Sequence, residues 1–286
     1  MSLTYVALLL LLLFPNGPSP AAVLPAGRPA AASSAVAVAR KPDKKALTRA
    51  LDRYVSHLPG RLSVSVRDLS SGLSYTYHRG LRTATASIVK VDIVVTLLLK
   101  AQRRHRGLTA RERRWAARAI RVSDNAAASA LWRAIGGASG LAAANRRLGL
   151  RSTTPGPGGS WGATTTSAAD QVRLLTALTS ARSPLSVRNR RYVLGLMSHV
   201  ARGQSWGVSA AGHDAALKNG WLPRRRDGGR WTVNSIGRVR GHGHTYLIAV
   251  ISDRHPSMGA GVRAVEHVAA LVAKTLAKAA TTTDDR

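Results

Sequence analysis

Three short stretches of this sequence hold residue types that together can activate a serine. Ser87-Ile88-Val89-Lys90 opens a strongly apolar stretch, Ser123-Asp124-Asn125 lies where one helical segment ends and another starts, and Lys218-Asn219-Gly220 ends a predicted strand. Residues i and i+3 share a helix face, so the Lys90 amine can reach the Ser87 hydroxyl. Ser87 at the helix start gains from the positive end of the dipole, which favours developing negative charge. An unpaired ammonium is costly in an apolar stretch, and desolvation with nearby positive groups can lower the pKa of Lys90 until it accepts a proton. The strand can present Lys218 to an anionic substrate carboxylate. Each stretch alone has a plainer reading, since Ser and Asp are good helix N-caps and a Ser-x-x-Lys pair is common. The weight lies in having all three, in order, on suitable elements.

The triplet resembles the S-x-x-K, S-D-N and K-T-G motifs of class A β-lactamases and penicillin-binding proteins. The likeness runs from about residue 44 to 279, and Gly162-Ala-Thr-Thr-Thr-Ser-Ala-Ala-Asp170 resembles the Thr-rich start of the helix that follows the family's omega loop. It implies an α+β, β-lactamase/transpeptidase-like fold: a five-stranded antiparallel sheet flanked by terminal helices, with an inserted all-helical subdomain. It also implies roles. Ser87 is the acylated nucleophile, Lys90 a proton acceptor, and Ser123 a shuttle to the leaving nitrogen. Asn125 orients Lys90 and the substrate amide, Lys218 and Asn219 hold the carboxylate, Gly220 completes that substrate-binding motif, and the N–H groups of Ser87 and Trp221 form an oxyanion hole. Asp124 is structural. The implied partners are a β-lactam or a D-Ala-type peptide, and no cofactor is required.

Three features depart from the pattern. Asn219 replaces the usual Thr or Ser, the segment from Ser87 to Ser123 is shorter than in typical class A enzymes, and no glutamate stands in the omega-loop region. The two glutamates are Glu112 and Glu266, and residues 151–163 carry no carboxylate. Acylation is therefore expected without the usual route of ester hydrolysis. Two rivals remain: a D-alanyl-D-alanine carboxypeptidase or esterase using the same serine, and a non-catalytic cell-envelope binding protein.

Composition bounds these readings. At 286 residues the chain can build one large domain or two small ones. It has no cysteine, which removes disulfides, thiolate nucleophiles, Cys-ligated zinc and a lipid-modified cysteine. The unbroken apolar run Val6–Phe14, followed by small and Pro-rich sequence, reads as an export leader over 1–32, although Met1–Tyr5 lacks a basic residue; either the true start lies upstream or the segment is an uncleaved anchor. Residues 33–43 read as a linker, 44–280 as the hydrolase domain and 281–286 as a disordered tail. The expected location is secreted or envelope-associated, with no stable membrane span after cleavage. The net charge of +30 comes largely from Arg spread along the chain; with few aromatics and no nucleic-acid motif, it reads as a solvated basic surface. No nucleic acid is expected as a partner, and any polyanion is expected to be a cell-envelope polymer.

The elements that must position the site follow from periodicity. A helix is expected over 46–58, a hairpin from Leu62–Val66 and Leu73–Tyr77 about Ser70-Ser71-Gly72, and helices over 88–102, 109–121, 124–135 and 140–148. Thr109-x-x-Glu112 is a capping box. An irregular loop over 151–163 precedes helices near 167–181 and 186–200, strands at 215–218, 231–239 and 245–252, and a last helix over 258–279. Gly203-Gln-Ser205-Trp-Gly207 matches a nucleophile elbow but lacks the strand before and the helix after that such a serine needs. His242 and His244 fit a hairpin turn better than a metal pair. Trp161 and Trp206 are candidates either for the cleft wall or for packing.

Overall fold

The computed structural model describes residues 44–281; the expected leader and linker over 1–43, and the tail from 282 onward, lie outside the described residues. Apolar residues four apart bury Leu47 and Leu51 on one face of α1 (Lys44–Val55). A hairpin follows, β1 (Arg61–Asp68) and β2 (Ser74–Tyr77), with Val64 opposite Tyr77. After the short β3 (Thr83–Ala84) come α2 (Val89–Arg103), α3 (Ala110–Arg121), α4 (Asn125–Ile135) and α5 (Gly137–Leu148). An irregular stretch leads to β4 (Thr165–Thr166), α6 (Ala168–Thr179) and α7 (Val187–Met197). Three long strands return, β5 (His213–Pro223), β6 (Trp231–Gly241) and β7 (His244–Asp253), before α8 (Met258–Thr281).

The sheet is five-stranded and antiparallel, in the order β2-β1-β7-β6-β5. β1 pairs with β7 from Arg61 opposite Asp253 to Asp68 opposite Tyr246, so early and late segments share one sheet and the helical block is an insertion. This is the expected α+β architecture. One sheet face, with Leu62, Val64, Leu217 and Val250, packs on α1 and α8. The other, with Ala216, Ile236, Leu247 and Ile251, joins the core of the helical block.

Burial on both faces changes how β1 reads. Its apolar–polar alternation suggests one wet face, yet Ser63 and Ser65 are buried as well. Their hydroxyls are satisfied locally: Ser63 donates to the Tyr77 carbonyl at 2.7 Å, and Ser65 Oγ lies 2.9 Å from Thr76 Oγ1. β5 extends well beyond the expected 215–218, so Lys218-Asn219-Gly220 lies inside the strand. The capping box on α3 forms reciprocally, Glu112 N on Thr109 Oγ1 at 3.1 Å and Thr109 N on Glu112 Oε2 at 2.8 Å.

α2 is the centre of the helical block and is buried nearly all round. Each fully buried Val, Leu or Ile contributes about 1.5–3 kcal/mol, which lets this helix carry two charged residue types inside, Lys90 and Asp92. Asp92 meets the amide of Asn145, whose nitrogen in the orientation that satisfies both partners lies 3.0 Å from Asp92 Oδ2. Burial, and then the charge of Asp170, push the Asp92 carboxyl up to about 8. The native state therefore keeps a proton that the unfolded chain releases near pH 4. The stability this contributes is intact below about pH 4 and is lost as pH rises to about 8. Asp92→Asn, neutral at every pH, should flatten the fall in melting temperature between those limits. Parallel melting curves for variant and parent across that range would refute the assignment.

Candidate active site

Ser87 sits in a single 3-10 turn, Ala86–Ile88, that feeds directly into α2. The turn is fixed from three directions. Thr85 N–H donates to the Thr164 carbonyl at 2.7 Å, continuing the β3–β4 pairing of Thr83 with Thr166. Asn234 of β6 donates its buried amide to the carbonyls of Ala84 and Thr85 at 2.8 and 3.1 Å. Gly220, opposite Asn234 in the β5–β6 register, approaches so closely that an added Cβ would lie 2.7 Å from the Ser87 nitrogen and 2.6 Å from the Thr85 oxygen. Ala86 takes φ +48°, a left-handed conformation that costs about 1–2 kcal/mol for a residue with a side chain. It persists because these contacts over-determine the turn.

The three motifs then converge on one hydroxyl. Lys90, wholly buried, donates to the Ser123 carbonyl at 2.5 Å, Ser123 Oγ at 3.1 Å and Asn125 Oδ1 at 2.8 Å. Lys218, also wholly buried, reaches the same Ser123 Oγ at 3.1 Å and the Asn219 carbonyl at 2.9 Å. Ser123 has φ +58°, a second strained residue at the link between α3 and α4. Asp124 caps α4 through Ala127 N–H at 2.7 Å and pairs with Arg118 at 2.5 Å, which is the structural part expected of it.

The electrostatics follow from two buried amines that bond the same half-buried hydroxyl. Burial lowers the Lys90 amine to about 8, with Asp124 pulling weakly the other way. Burial, and then the Lys90 charge, lower Lys218 to about 7. So close a pair titrates as a unit, giving up its first proton near neutrality. Trp161 places its ring centroid 4.9 Å from Lys90 Nζ, and its indole N–H donates to Ser129 at 3.1 Å. Such an arrangement holds an amine able to take a proton beside a serine-bearing turn, with a hydroxyl between two nitrogens to relay one.

Known proteins share this framework. Residues 102–276 match the model of the beta-lactamase enzyme family. This chain belongs to that family. A class A beta-lactamase from Bacteroides cellulosilyticus superposes with TM-score 0.71 at 16% identity, covering 84% of this chain and 99% of that one. A point mutant of PBP-A, in an acyl-enzyme complex with penicillin G, gives TM-score 0.70 at 20% identity over 82% of this chain and 97% of that one. In sequence, the chain is 29% identical over 211 residues to the "Putative lipoprotein LppW" of Mycobacterium tuberculosis; the match takes in 71% of this chain and spans 66% of that relative's length.

Within the family frame some expectations change. Lys90 spends its donors on Ser123 and Asn125 and has no bond to Ser87. Lys218 is wholly buried and spends donors on Ser123 Oγ and the Asn219 carbonyl. Asn219, expected to hold a substrate carboxylate, instead faces the opposite side of β5: it is buried and donates to the carbonyls of Gln204 and Trp206, both at 2.9 Å. Strand alternation dictates this, because neighbours 218 and 219 point to opposite faces. Trp221 shares that far face, its ring 5.6 Å from Trp206.

The decoys resolve into structure. The 203–207 segment with Ser205 is held by Asn219 and by Glu266, which accepts from Gly207 N–H at 3.3 Å. Glu112 is taken by Arg106 at 2.7 Å and by its helix cap. His242 lies in the β6–β7 turn at φ +51°, and His244 bonds Asp68 at 2.8 Å. Among the described residues no group of three or more His, Asp or Glu could hold a metal. Sequence reasoning missed Asn234, which lies outside the triplet and lacks a local signal. Gly220→Ala should displace the Ser87 turn and slow labelling of Ser87 by a fluorescent penicillin about 100-fold, with the circular dichroism spectrum retained. Labelling at the parent rate would show that the close approach does not set the serine's position.

Proposed function

We propose that this chain is an exported serine acyl-transfer enzyme of the cell envelope, in which Ser87 attacks a β-lactam or a D-alanine-terminated peptide and is slow to release the resulting ester. The observation that carries the reading is the position of Ser123 Oγ, 3.1 Å from both Lys90 Nζ and Lys218 Nζ, next to the strand that abuts the Ser87 turn. In the proposed step the lysine pair has lost one proton and carries the other on Lys218 by exchange through Ser123 Oγ, and the Ser87 proton passes to neutral Lys90 while Oγ bonds the carbonyl carbon. The oxyanion is received by the N–H groups of Ser87 and Trp221. As the C–N bond breaks, Ser123 hands its proton to the leaving nitrogen and recovers one from the lysine pair. Asn125 keeps its amide N–H groups for the substrate, and the charge of Lys218 favours a substrate carboxylate.

Slow release is supported by the 151–163 loop. It offers no carboxylate to activate water, and the residue it places beside Lys90 is Trp161. The envelope location is supported by the leader-like 1–32 segment and by the lipoprotein name of the mycobacterial relative. This chain has no cysteine for a thioether-linked lipid, so the leader and the 33–43 linker, followed by the 44–280 domain, are proposed to account for export.

Mass spectrometry after incubation with penicillin G tests the proposal: one adduct on Ser87, absent in Ser87→Ala, and persistent while nitrocefin turns over slowly. An unmodified protein would overturn the enzymatic reading in favour of a binding protein, and rapid nitrocefin hydrolysis would overturn slow release. Release of D-Ala from a peptide ending in D-Ala-D-Ala separates peptidase from β-lactam specialist. Because the reactive amine must be neutral, the labelling rate should climb as pH passes through about 7 to 8 and then level off. Lys90→Ala should lose at least about 100-fold, and a flat profile from acid to neutral pH would exclude the lysine pair as the base.

A further inference from the structure

A cavity of about 590 Å³ lies at the end of α2 far from Ser87. Lys90 and Gln102 are twelve residues apart on that helix, or about 18 Å, so this space is separate from the Ser87 cleft. Leu98, Leu108 and Tyr192 supply apolar surface, and Arg106, Arg113, Arg188 and Arg191 surround it. Arg106 is neutralised by Glu112 through two bonds of 2.7 and 2.9 Å. Among the described residues the other three guanidiniums have no carboxylate partner, and no carboxylate lines the cavity.

The junction of α2 with α7 at one side of this space is held by hydrogen bonds. Gln102 joins the end of α2 to the start of α7: its Nε2 donates to the Pro184 carbonyl at 2.9 Å, and its Oε1 accepts from Ser186 N–H and Asn189 Nδ2 at 2.9 and 3.2 Å. The N-terminus of α7, with no acidic residue in its first turn, opens on the same space. Arginines on a convex basic surface diverge into water. Here Arg113, Arg188 and Arg191 line one concave space together with Leu98, Leu108 and Tyr192, a composition that suits a ligand with a charged head and an apolar body.

We propose that this cavity binds an organic phosphate monoester, its head held by Arg113, Arg188 and Arg191 and its body seated on Leu98, Leu108 and Tyr192. Guanidinium forks match phosphate oxygens in pairs, and the volume is that of a drug-sized ligand site. The site stands independently of the chemistry at Ser87.

Calorimetry on the whole protein at physiological salt tests it, using 1-naphthyl phosphate, inorganic phosphate and 1-naphthol. The expected result is one site for naphthyl phosphate, tighter than for either fragment. Arg188→Ala/Arg191→Ala should weaken it at least about tenfold, with melting temperature unchanged. Arg146→Ala/Arg147→Ala, on α5, should leave it unchanged. Phosphatidic acid vesicles form the second arm: cosedimentation lost in the Arg188/Arg191 double variant would support the same phosphate chemistry in lipid form. The proposal fails if neither arm gives binding that depends on Arg188 and Arg191, or if the Arg146/Arg147 control weakens binding equally, since general charge would then explain it.

Discussion

Two buried ammonium groups sharing a single half-buried hydroxyl are the constraint around which this molecule is arranged. Lys90 and Lys218 are both wholly buried, and Ser123 Oγ stands within hydrogen-bond reach of each. Bringing two like charges out of water into such proximity is unfavourable, and the fold offsets it with dipoles: the carbonyls of Ser123 and Asn219, the amide oxygen of Asn125 and the face of Trp161. The residual cost appears as lowered amine pKa values. The same arrangement that burdens folding keeps an amine ready to take a proton at neutral pH.

That convergence explains the layering. The Ser87 turn comes from the head of α2, Ser123 from the link between α3 and α4, Lys218 from a sheet edge strand, and Trp161 from the loop beyond α5. No local segment could bring them together, so the helical block must be inserted into the sheet. Strain collects where the pieces meet, at the positive φ of Ala86 and Ser123. The contacts that hold it are unglamorous in sequence: a glycine that lets strand and turn touch, and an asparagine that reaches two carbonyls.

Much of this was legible from local signals. The capping box on α3, the β1–β2 hairpin and the spacing of Ser87 and Lys90 each depend on residues a few positions apart, and the structure contains the box and the hairpin as read. What escaped was long-range or periodic. The two-residue pairing of β3 with β4 is too short to carry a pattern, and Asn234 is ordinary until its partners are known. The side of β5 taken by Asn219 was within reach of sequence reasoning, because strand alternation opposes it to Lys218; motif matching suggested a substrate contact instead. Ser63 and Ser65 misled for the converse reason, since alternation implies a wet face and the second layer dries it.

Net charge acts on the same site from further away. With 43 basic and 13 acidic residues, the field over the molecule is positive, and salt weakens it over about 10 Å. Such a field favours the neutral form of any amine within that range, whereas at Lys90 and Lys218 the lowering comes first from burial. It also draws carboxylate-bearing molecules toward the cleft. Asp124, whose charge raises the Lys90 amine against the effect of burial, is committed to its helix cap and to Arg118, so it restores little charge to the pair. Burial thus sets the lysine pair from within, and the basic surface adds a long-range attraction for anions.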